Sequence, residues 1–340
     1  MENKFIVGID VSKSWLDAAL ISSEQKEKVE HIQITNNNKG MEKLLKWLNG
    51  FDDFDLSKTT FCMEHTGVYN LPALRFFLYN QCNVWLENPS NIKKSLGLQR
   101  GKNDEIDARR IAQFAFKNID SVKLWKPVRE VVDTIKNLMV LRERLLQSKK
   151  QLLAPVEEFK AMGEKQTAKM LEKSMAHAIK GIEKDIEQTE KKIKDIIDSD
   201  DDLKKLFKLV VSIVGIGFVS AINLIIHTNE FKNFICPKKF ACYCGVAPFE
   251  HKSGSSIKGR TRVSHLANKK MKTTLHLASL SAVKFDAELK EYYERKVAEG
   301  KNKMSVLNAV RNKLINRIFV VVNRGTEYVK RNSLNNLVLS

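Results

Sequence analysis

Four acids have the types and spacing that a divalent-ion site acting on phosphate esters would need. Asp10 ends an apolar run, Phe5-Ile6-Val7-Gly8-Ile9-Asp10, that reads as a strand, and Glu64 ends a second, Thr59-Thr60-Phe61-Cys62-Met63-Glu64, more than fifty residues later. Asp104 and Asp107 stand at i and i+3 in Asn103-Asp104-Glu105-Ile106-Asp107-Ala108, which opens a helix, so they share a face. Hard cations prefer oxygen ligands, and two ions about 3.5–4 Å apart can stabilise both the attacking and the leaving oxygen of a phosphoryl transfer. Each acid alone has a plainer reading as a turn residue or a solvated charge. Their order in a strongly basic chain favours a metal site holding Mg²⁺, with Mn²⁺ as the alternative, since ligand hardness does not separate the two.

A second chemistry-bearing stretch runs from Gly245 to Arg260 and places glycines and serines beside Lys252, Lys258 and Arg260. Such a loop can present backbone N–H groups and cations to a phosphate. A serine in this stretch could also attack one, given a base such as His251 or metal-assisted deprotonation. From spacing alone a flexible phosphate-binding loop is the plainer reading. A third feature, Val214-Gly215-Ile216-Gly217, has the form of a helix-hairpin-helix turn whose amides hold a nucleic-acid backbone; a buried packing turn between helices competes with it.

The elements around the acids set the fold class. Trp15 to Ile21 and His31 to Thr35 read as two more strands, followed by a helix from Lys39 to Leu48, a helix through Tyr79 and a strand from Asn83 to Glu87. Three antiparallel strands joined to parallel ones predict an α/β domain with a mixed sheet of ribonuclease-H-like order over residues 1–126. Residues 127–205 turn to Lys, Glu, Gln, Leu and Ile. Ile179, Ile182, Ile186, Ile193 and Ile196, with Thr189 in the remaining slot, form a heptad stripe, and Ile135, Leu138, Leu145 and Leu152 form another. Pro155 and Gly163 fall between the stripes, so an antiparallel coiled-coil arm is expected, serving as a structural arm or a dimerisation element. Residues 206–330 read as a mostly helical domain and 331–340 as a polar tail.

Charge narrows the partner class. The 340 residues carry a net charge of +18, and Lys252, Lys258, Arg260, Arg262, Lys269, Lys270 and Lys272 fall in one stretch without an acid. An excess of this kind drives association with polyanions by counterion release, so nucleic acid is the leading partner. Five cysteines without a framework spacing suit a reducing compartment, and Cys242 and Cys244 sit too close for a zinc knuckle. The start of the chain lacks an export pattern, which predicts a cytoplasmic protein. Leu209 to Ile226 is long and apolar enough to raise the question of a membrane span, but its Gly-Ile-Gly break, Asn223 and flanking lysines oppose one.

With these residues in view, the chain resembles the insertion-sequence 110 family of DEDD transposases, which includes Piv-type DNA invertases. The resemblance rests on Gly8-Ile9-Asp10-Val11-Ser12-Lys13, Met63-Glu64-His65-Thr66-Gly67-Val68-Tyr69, Asn103-Asp104-Glu105-Ile106-Asp107-Ala108, Val214-Gly215-Ile216-Gly217, Tyr243-Cys244-Gly245-Val246-Ala247-Pro248 and Lys252-Ser253-Gly254. It implies a RuvC-like domain in which Asp10, Glu64, Asp104 and Asp107 bind Mg²⁺, a coiled-coil arm, and a transposase domain whose nucleophile aligns best with Ser253, with Ser255 in reserve. It also implies donor and target DNA as substrates, a structured bridge RNA that pairs with both, a homodimer or tetramer, and strand exchange through a phosphoserine intermediate. Gly215, Gly217 and the seven basic residues named above are then the expected nucleic-acid contacts. Two other readings compete: a RuvC-like junction resolvase using water, and a non-enzymatic basic scaffold for RNA or DNA.

Overall fold

The computed structural model describes residues 4–23, 28–95, 103–253, 257–264 and 266–329, and over 250–262 it describes the backbone alone. The chain divides into two compact units, Met1–Pro127 and Val128–Ser340.

In the first unit, β1 (Phe5–Val11), β2 (Trp15–Ser22) and β3 (Val29–Thr35) form an antiparallel meander, followed by α1 (Asn38–Leu48). Then come β4 (Thr59–Glu64), α2 (Leu71–Tyr79), β5 (Asn83–Glu87), α3 (Pro89–Ser95) and α4 (Asp104–Lys117). The sheet runs β3-β2-β1-β4-β5, with β4 parallel to β1 and β5 parallel to β4. This is the mixed sheet of ribonuclease-H-like order that the strand pattern predicts. Both faces are covered, which is why β1 reads as almost continuously apolar. Phe5, Val7, Ile9 and Val11 join the core on the α1 and α2 side, where Met41, Leu44, Leu74 and Phe77 lie. Ile6, Gly8 and Asp10 alternate onto the other face.

Gly8 sets the height of α4 above the sheet. A Cβ on Gly8 would lie 2.1 Å from the Ala112 nitrogen and 2.5 Å from the Ala108 oxygen, both backbone atoms of α4. Small residues continue the seam, with Ala19 of β2 packing against Ala108 and Ala112. Because backbone cannot move aside as a flexible side chain can, Gly8→Ala should destabilise the protein by about 3 kcal/mol, measured by urea unfolding. A loss below about 1 kcal/mol would show that α4 can ride up without penalty.

The second unit opens with α5 (Glu130–Ala161) and α6 (Lys165–Asp198), an antiparallel pair reversed at Gly163, whose φ of +84° suits glycine. Ile135, Met139, Thr189, Ile193 and Ile197 are buried toward the base of the arm. Farther out, Ile179, Ile182 and Ile186 are only half-buried, since two helices bury one stripe apiece. Thr189 fits the seam because its hydroxyl donates to the Asp185 carbonyl at 2.7 Å. Arg142–Glu190 and Lys149–Glu183, each at 2.6 Å, tie the helices across the stripe. Pro155, read from sequence as punctuation, lies inside α5. A proline removes one N–H and strains one preceding turn, and a long helix held along its length by a partner carries that local defect.

The rest of the second unit comprises α7 (Asp201–Val211), α8 (Phe218–Thr228), α9 (Pro237–Tyr243), β6 (Pro248–Ser253), β7 (Ile257–Val263), α10 (Lys269–Phe285), α11 (Ala287–Ala298) and α12 (Lys303–Arg324). Val310, Leu314, Ile315, Ile318 and Phe319 make α12 the spine of a core that also buries Phe240, Leu275 and Ala278. The apolar run from Leu209 to Ile226 spans the end of α7, a turn and most of α8. Among the described residues no helix is long and apolar enough to cross a membrane. The Gly-Ser-Lys stretch read as a flexible loop instead contains an antiparallel hairpin, β6–β7, with an irregularity between Phe249 and His251. Alternation of Ile257, Thr261 and Val263 with polar residues suits a ribbon, a signal masked by the surrounding glycines and serines.

Candidate functional site

One row of the first unit's sheet is polar from edge to edge. Gln33 pairs with Asp17, Asp17 with Asp10, and Glu64 with Glu87, while the β1–β4 register carries Asp10 onto the row of Glu64. Residues in one row share a face, the face on which α4 lies. The outer acids of this row are occupied. Asp17 is buried and takes His31 Nε2 at 2.9 Å and Gln33 Nε2 at 3.2 Å. Glu87 accepts from Trp85 Nε1 at 3.0 Å, Asn91 Nδ2 at 2.8 Å and the Asn88 N–H at 2.7 Å. Among the described residues, no side chain donates to the carboxylates of Asp10 or Glu64 between them.

Helix α4 adds its first turn to this row. Asn103 caps the helix by accepting from the Ile106 N–H at 2.8 Å, and Asp104, Glu105 and Asp107 follow, where the helix dipole favours acids. Asp107 pairs with Arg110 at 2.8 Å and Glu105 with Arg109 at 2.9 Å. Burial, then the charges of Asp104, Asp107 and Glu64, push the Asp10 carboxyl up to about 6. Asp104, Asp107 and Glu64 therefore each lie within electrostatic reach of Asp10. Among the described residues no three His, Cys, Asp or Glu side chains stand close enough to grip an ion as placed. Holding one requires side-chain rotation. The donor set itself, four carboxylates of which Asp107 is paired with Arg110, fits a hard divalent cation.

The turn after Glu64 is fixed by a residue that sequence reasoning missed. Asn70 is buried, accepts from the Thr66 N–H at 2.7 Å and donates to the Glu64 carbonyl at 2.9 Å. The His65 N–H bonds the Glu87 carbonyl at 2.9 Å and holds the same turn from β5. Asn70 stands in a Gly67-containing turn, where asparagine side chains commonly satisfy backbone groups, and that is the available signal.

In the second unit, Ser253 is the last residue of β6 and pairs with Ile257, while Lys252 pairs with Lys258. Ser253 therefore stands at the tip of the ribbon; Ser255 lies outside the described residues. Arg260 and Arg262 are on β7, and Lys269, Lys270 and Lys272 on the first turn of α10. Lys270 pairs with Glu143 of α5 at 2.5 Å. Gly215, with φ +97°, packs on α10, where a Cβ would lie 2.6 Å from the Ala278 carbonyl oxygen. Gly217 meets nothing at its Cβ position and caps α8.

The root of the ribbon is held by three side chains that the sequence did not single out. Asn268, the cap of α10, donates to the Tyr243 hydroxyl at 2.8 Å, and His227 Nδ1 lies 3.1 Å from the same oxygen. Asn308 of α12 donates to the Val246 carbonyl at 2.8 Å. Burial, then Lys270 and Lys136, lower His227 to about 4, against a weaker opposing effect of Glu143. A histidine depressed in the folded state is protonated first in the unfolded chain, so its stability contribution is complete above about pH 6.5 and is lost as pH falls toward 4. His227→Gln should remove about 1–2 kcal/mol of pH dependence across that window, after allowing for partial exposure. Melting temperatures recorded every half pH unit check this, and parallel wild-type and variant curves would refute it.

Comparison with known proteins places the chain. A transposase profile of the DEDD, IS110 type matches residues 7–158, and a profile described as transposase of the IS116/IS110/IS902 family matches 208–294. The pilin gene-inverting protein of Moraxella bovis is 25% identical over 335 residues, covering 97% of this chain and 99% of its own. An IS110 insertion-element protein of Streptomyces coelicolor is 27% identical over 126 residues, 37% of this chain and 31% of its own. Thermus thermophilus RuvC in complex with a Holliday junction substrate aligns with 36% of this chain and 99% of its own, at 13% identity and a TM-score of 0.26, too slight to bear on the reading. The chain is thus a transposase, an enzyme that recombines DNA. Within that class it belongs to the IS110 family.

Proposed function

We propose that this transposase cuts and rejoins DNA strands with two sets of groups: a divalent-ion site made by Asp10, Glu64, Asp104 and Asp107, and a nucleophilic serine, Ser253, at the tip of the β6–β7 ribbon. The observation that carries the first part is the polar sheet row: its outer acids are saturated by hydrogen bonds and its central pair is left for another ligand beside the α4 acids. Bound Mg²⁺ would supply charge neutralisation at the phosphate oxygens and lower the cost of deprotonating a hydroxyl. The four carboxylates would hold it from two strand ends and one helix turn, with Arg110 orienting Asp107 from the next turn.

At the ribbon, the Ser253 Oγ–H gives up its proton to a base, with His251 the candidate nearest in sequence, as a new Oγ–P bond forms. The P–O bond to the deoxyribose oxygen breaks, and that oxygen leaves as a hydroxyl after taking a proton. Attack by a hydroxyl of the other strand reverses the sequence and frees the serine, so the number of phosphoester bonds is conserved. A resolvase using water would release hydrolysed ends and leave no protein–DNA adduct. Denaturing gels of the reaction distinguish the two: a covalent adduct supports serine attack, and free ends alone contradict it.

The net charge of +18 and the ribbon and α10 cations suit a partner held by its backbone. A structured RNA that supplies sequence choice by base pairing is the partner proposed here, together with a homo-oligomer, because exchange between two duplexes needs more than one cutting centre. Expression with the flanking noncoding DNA should copurify one discrete RNA. A preparation whose only RNA is heterogeneous would argue against a dedicated guide.

A further inference from the structure

Among the described residues, Arg311 of α12 is a buried cation without an acid. It is 5% exposed, and its contacts are Asn308 Oδ1 at 3.3 Å from Nη1 and His276 Nδ1 at 2.7 Å from Nη2. Its Nε, also out of solvent, donates to nothing among the described residues. Arg317, on the same helix, shows the ordinary solution, pairing with Asp286 at 2.7 Å and Glu288 at 2.8 Å. A guanidinium keeps its charge when buried, and an uncompensated one is costly unless its field is used.

The partner of Arg311 is shaped by that charge. Arg311 can only donate, so His276 accepts at Nδ1 and carries its ring proton on Nε2. Burial and the adjoining guanidinium hold His276 below its ordinary range, which keeps it neutral near pH 7. The ring is half-buried, and its Nε2–H bonds nothing among the described residues. Lys272 lies one turn earlier on the same face of α10. Its chain runs against Gly245, where a Cβ would meet Lys272 Cδ at 3.7 Å. Asn308, which touches Arg311, also holds the Val246 carbonyl. These side chains therefore meet at the root of the β6–β7 ribbon.

We propose that Lys272, His276 and Arg311 form a phosphate-binding station for the DNA backbone beside the ribbon. Lys272 Nζ and His276 Nε2–H contact one phosphodiester. Arg311 is a positioning residue that fixes the histidine tautomer and adds an unbalanced positive field beneath it. The station deepens the proposed role of the ribbon and rests on it for its purpose, although its binding can be read separately. A purely structural clasp between α10 and α12 is the competing role, and it predicts changes in melting temperature without changes in DNA affinity.

The test is equilibrium binding of a short mixed-sequence DNA duplex to the full chain across a range of salt. Lys272→Ala should weaken binding and lower the slope of log K against log salt by about 0.9, the value for one phosphate contact. His276→Ala should weaken binding about five- to tenfold at fixed salt with the slope unchanged, because the lost donor is uncharged. His276→Gln should restore most of the affinity, since its amide can accept from Arg311 and donate outward. Arg311→Met should weaken binding at least as much as His276→Ala, because it removes the positive field as well as the tautomer restraint, and Lys290→Ala on α11 should change nothing. Wild-type affinity and slope in His276→Ala and Lys272→Ala would overturn the station, whether or not Arg311→Met folds, and so would an equal loss from Lys290→Ala. Loss of affinity in the station variants of a chain that forms no serine adduct would support the station and count against Ser253.

Discussion

Asp10→Asn should abolish metal-dependent strand cleavage, with a loss of at least about a thousandfold, while making the metal-free protein more stable. The two effects share one cause. Partial burial, then the charges of Asp104, Asp107 and Glu64, push the Asp10 carboxyl up to about 6. Ionising it in the folded state is therefore unfavourable. The penalty is absent below about pH 4, grows between 4 and 6, and is complete above, because the folded chain holds its proton longer than the unfolded one. Asparagine removes that charge at nearly constant shape. At neutral pH in EDTA the variant should gain about 1 kcal/mol, after allowing for solvent screening of a partly open carboxylate. Added Mg²⁺ should stabilise the wild type and narrow the gap, since it binds the native state alone. Denaturant titrations with and without Mg²⁺ check this. A variant less stable than wild type in EDTA would show that Asp10 serves the fold, not an ion.

Ser253→Ala should eliminate the covalent protein–DNA adduct while leaving duplex affinity within about twofold. A nucleophile contributes bond formation, and its removal leaves the basic surface that holds the backbone unchanged. Mg²⁺ binding, read by stabilisation of the first unit, should be unaffected. Ser255→Ala is the necessary companion, because Ser255 follows Ser253 by two residues in the same Gly-Ser stretch. Adduct lost in the second variant and kept in the first would transfer the nucleophile to Ser255. Adduct at wild-type level in the double variant would remove the ribbon serines from the reaction.

The acids were legible because strands report themselves through short, local patterns. Phe5 to Asp10 and Thr59 to Glu64 are apolar runs closed by a carboxylate, and Asn103 with Asp104 and Asp107 is a capped helix start. What the pattern could not show was the registration that lines up Asp17, Asp10, Glu64 and Glu87. Register depends on pairing across the sheet, and only after pairing is it clear that His31 and Gln33 occupy Asp17 while Trp85 and Asn91 occupy Glu87. Asn70, Asn268 and Asn308 were missed for the same reason: each satisfies a group distant in sequence or hidden in a turn. Pro155 misled because its local rule was overridden by the packing of a long helix pair. The ribbon was misread because glycine and serine in its sequence outweighed the β-branched alternation of Ile257, Thr261 and Val263. Arg311 left no trace, since an arginine in a helix is ordinary until its burial and lack of an acid partner are known.

The proposed metal site draws four carboxylates from β1, β4 and the start of α4. Crystals of the protein soaked in Mn²⁺ and measured for anomalous scattering test it most directly, because manganese replaces magnesium at oxygen sites and marks its own position. At least one strong peak is expected, ligated by Asp10 together with Glu64 and at least one of Asp104 and Asp107, and absent in crystals of Asp10→Asn. Saturating Mn²⁺ that leaves this pocket without a peak, or a peak held by other residues alone, would contradict it.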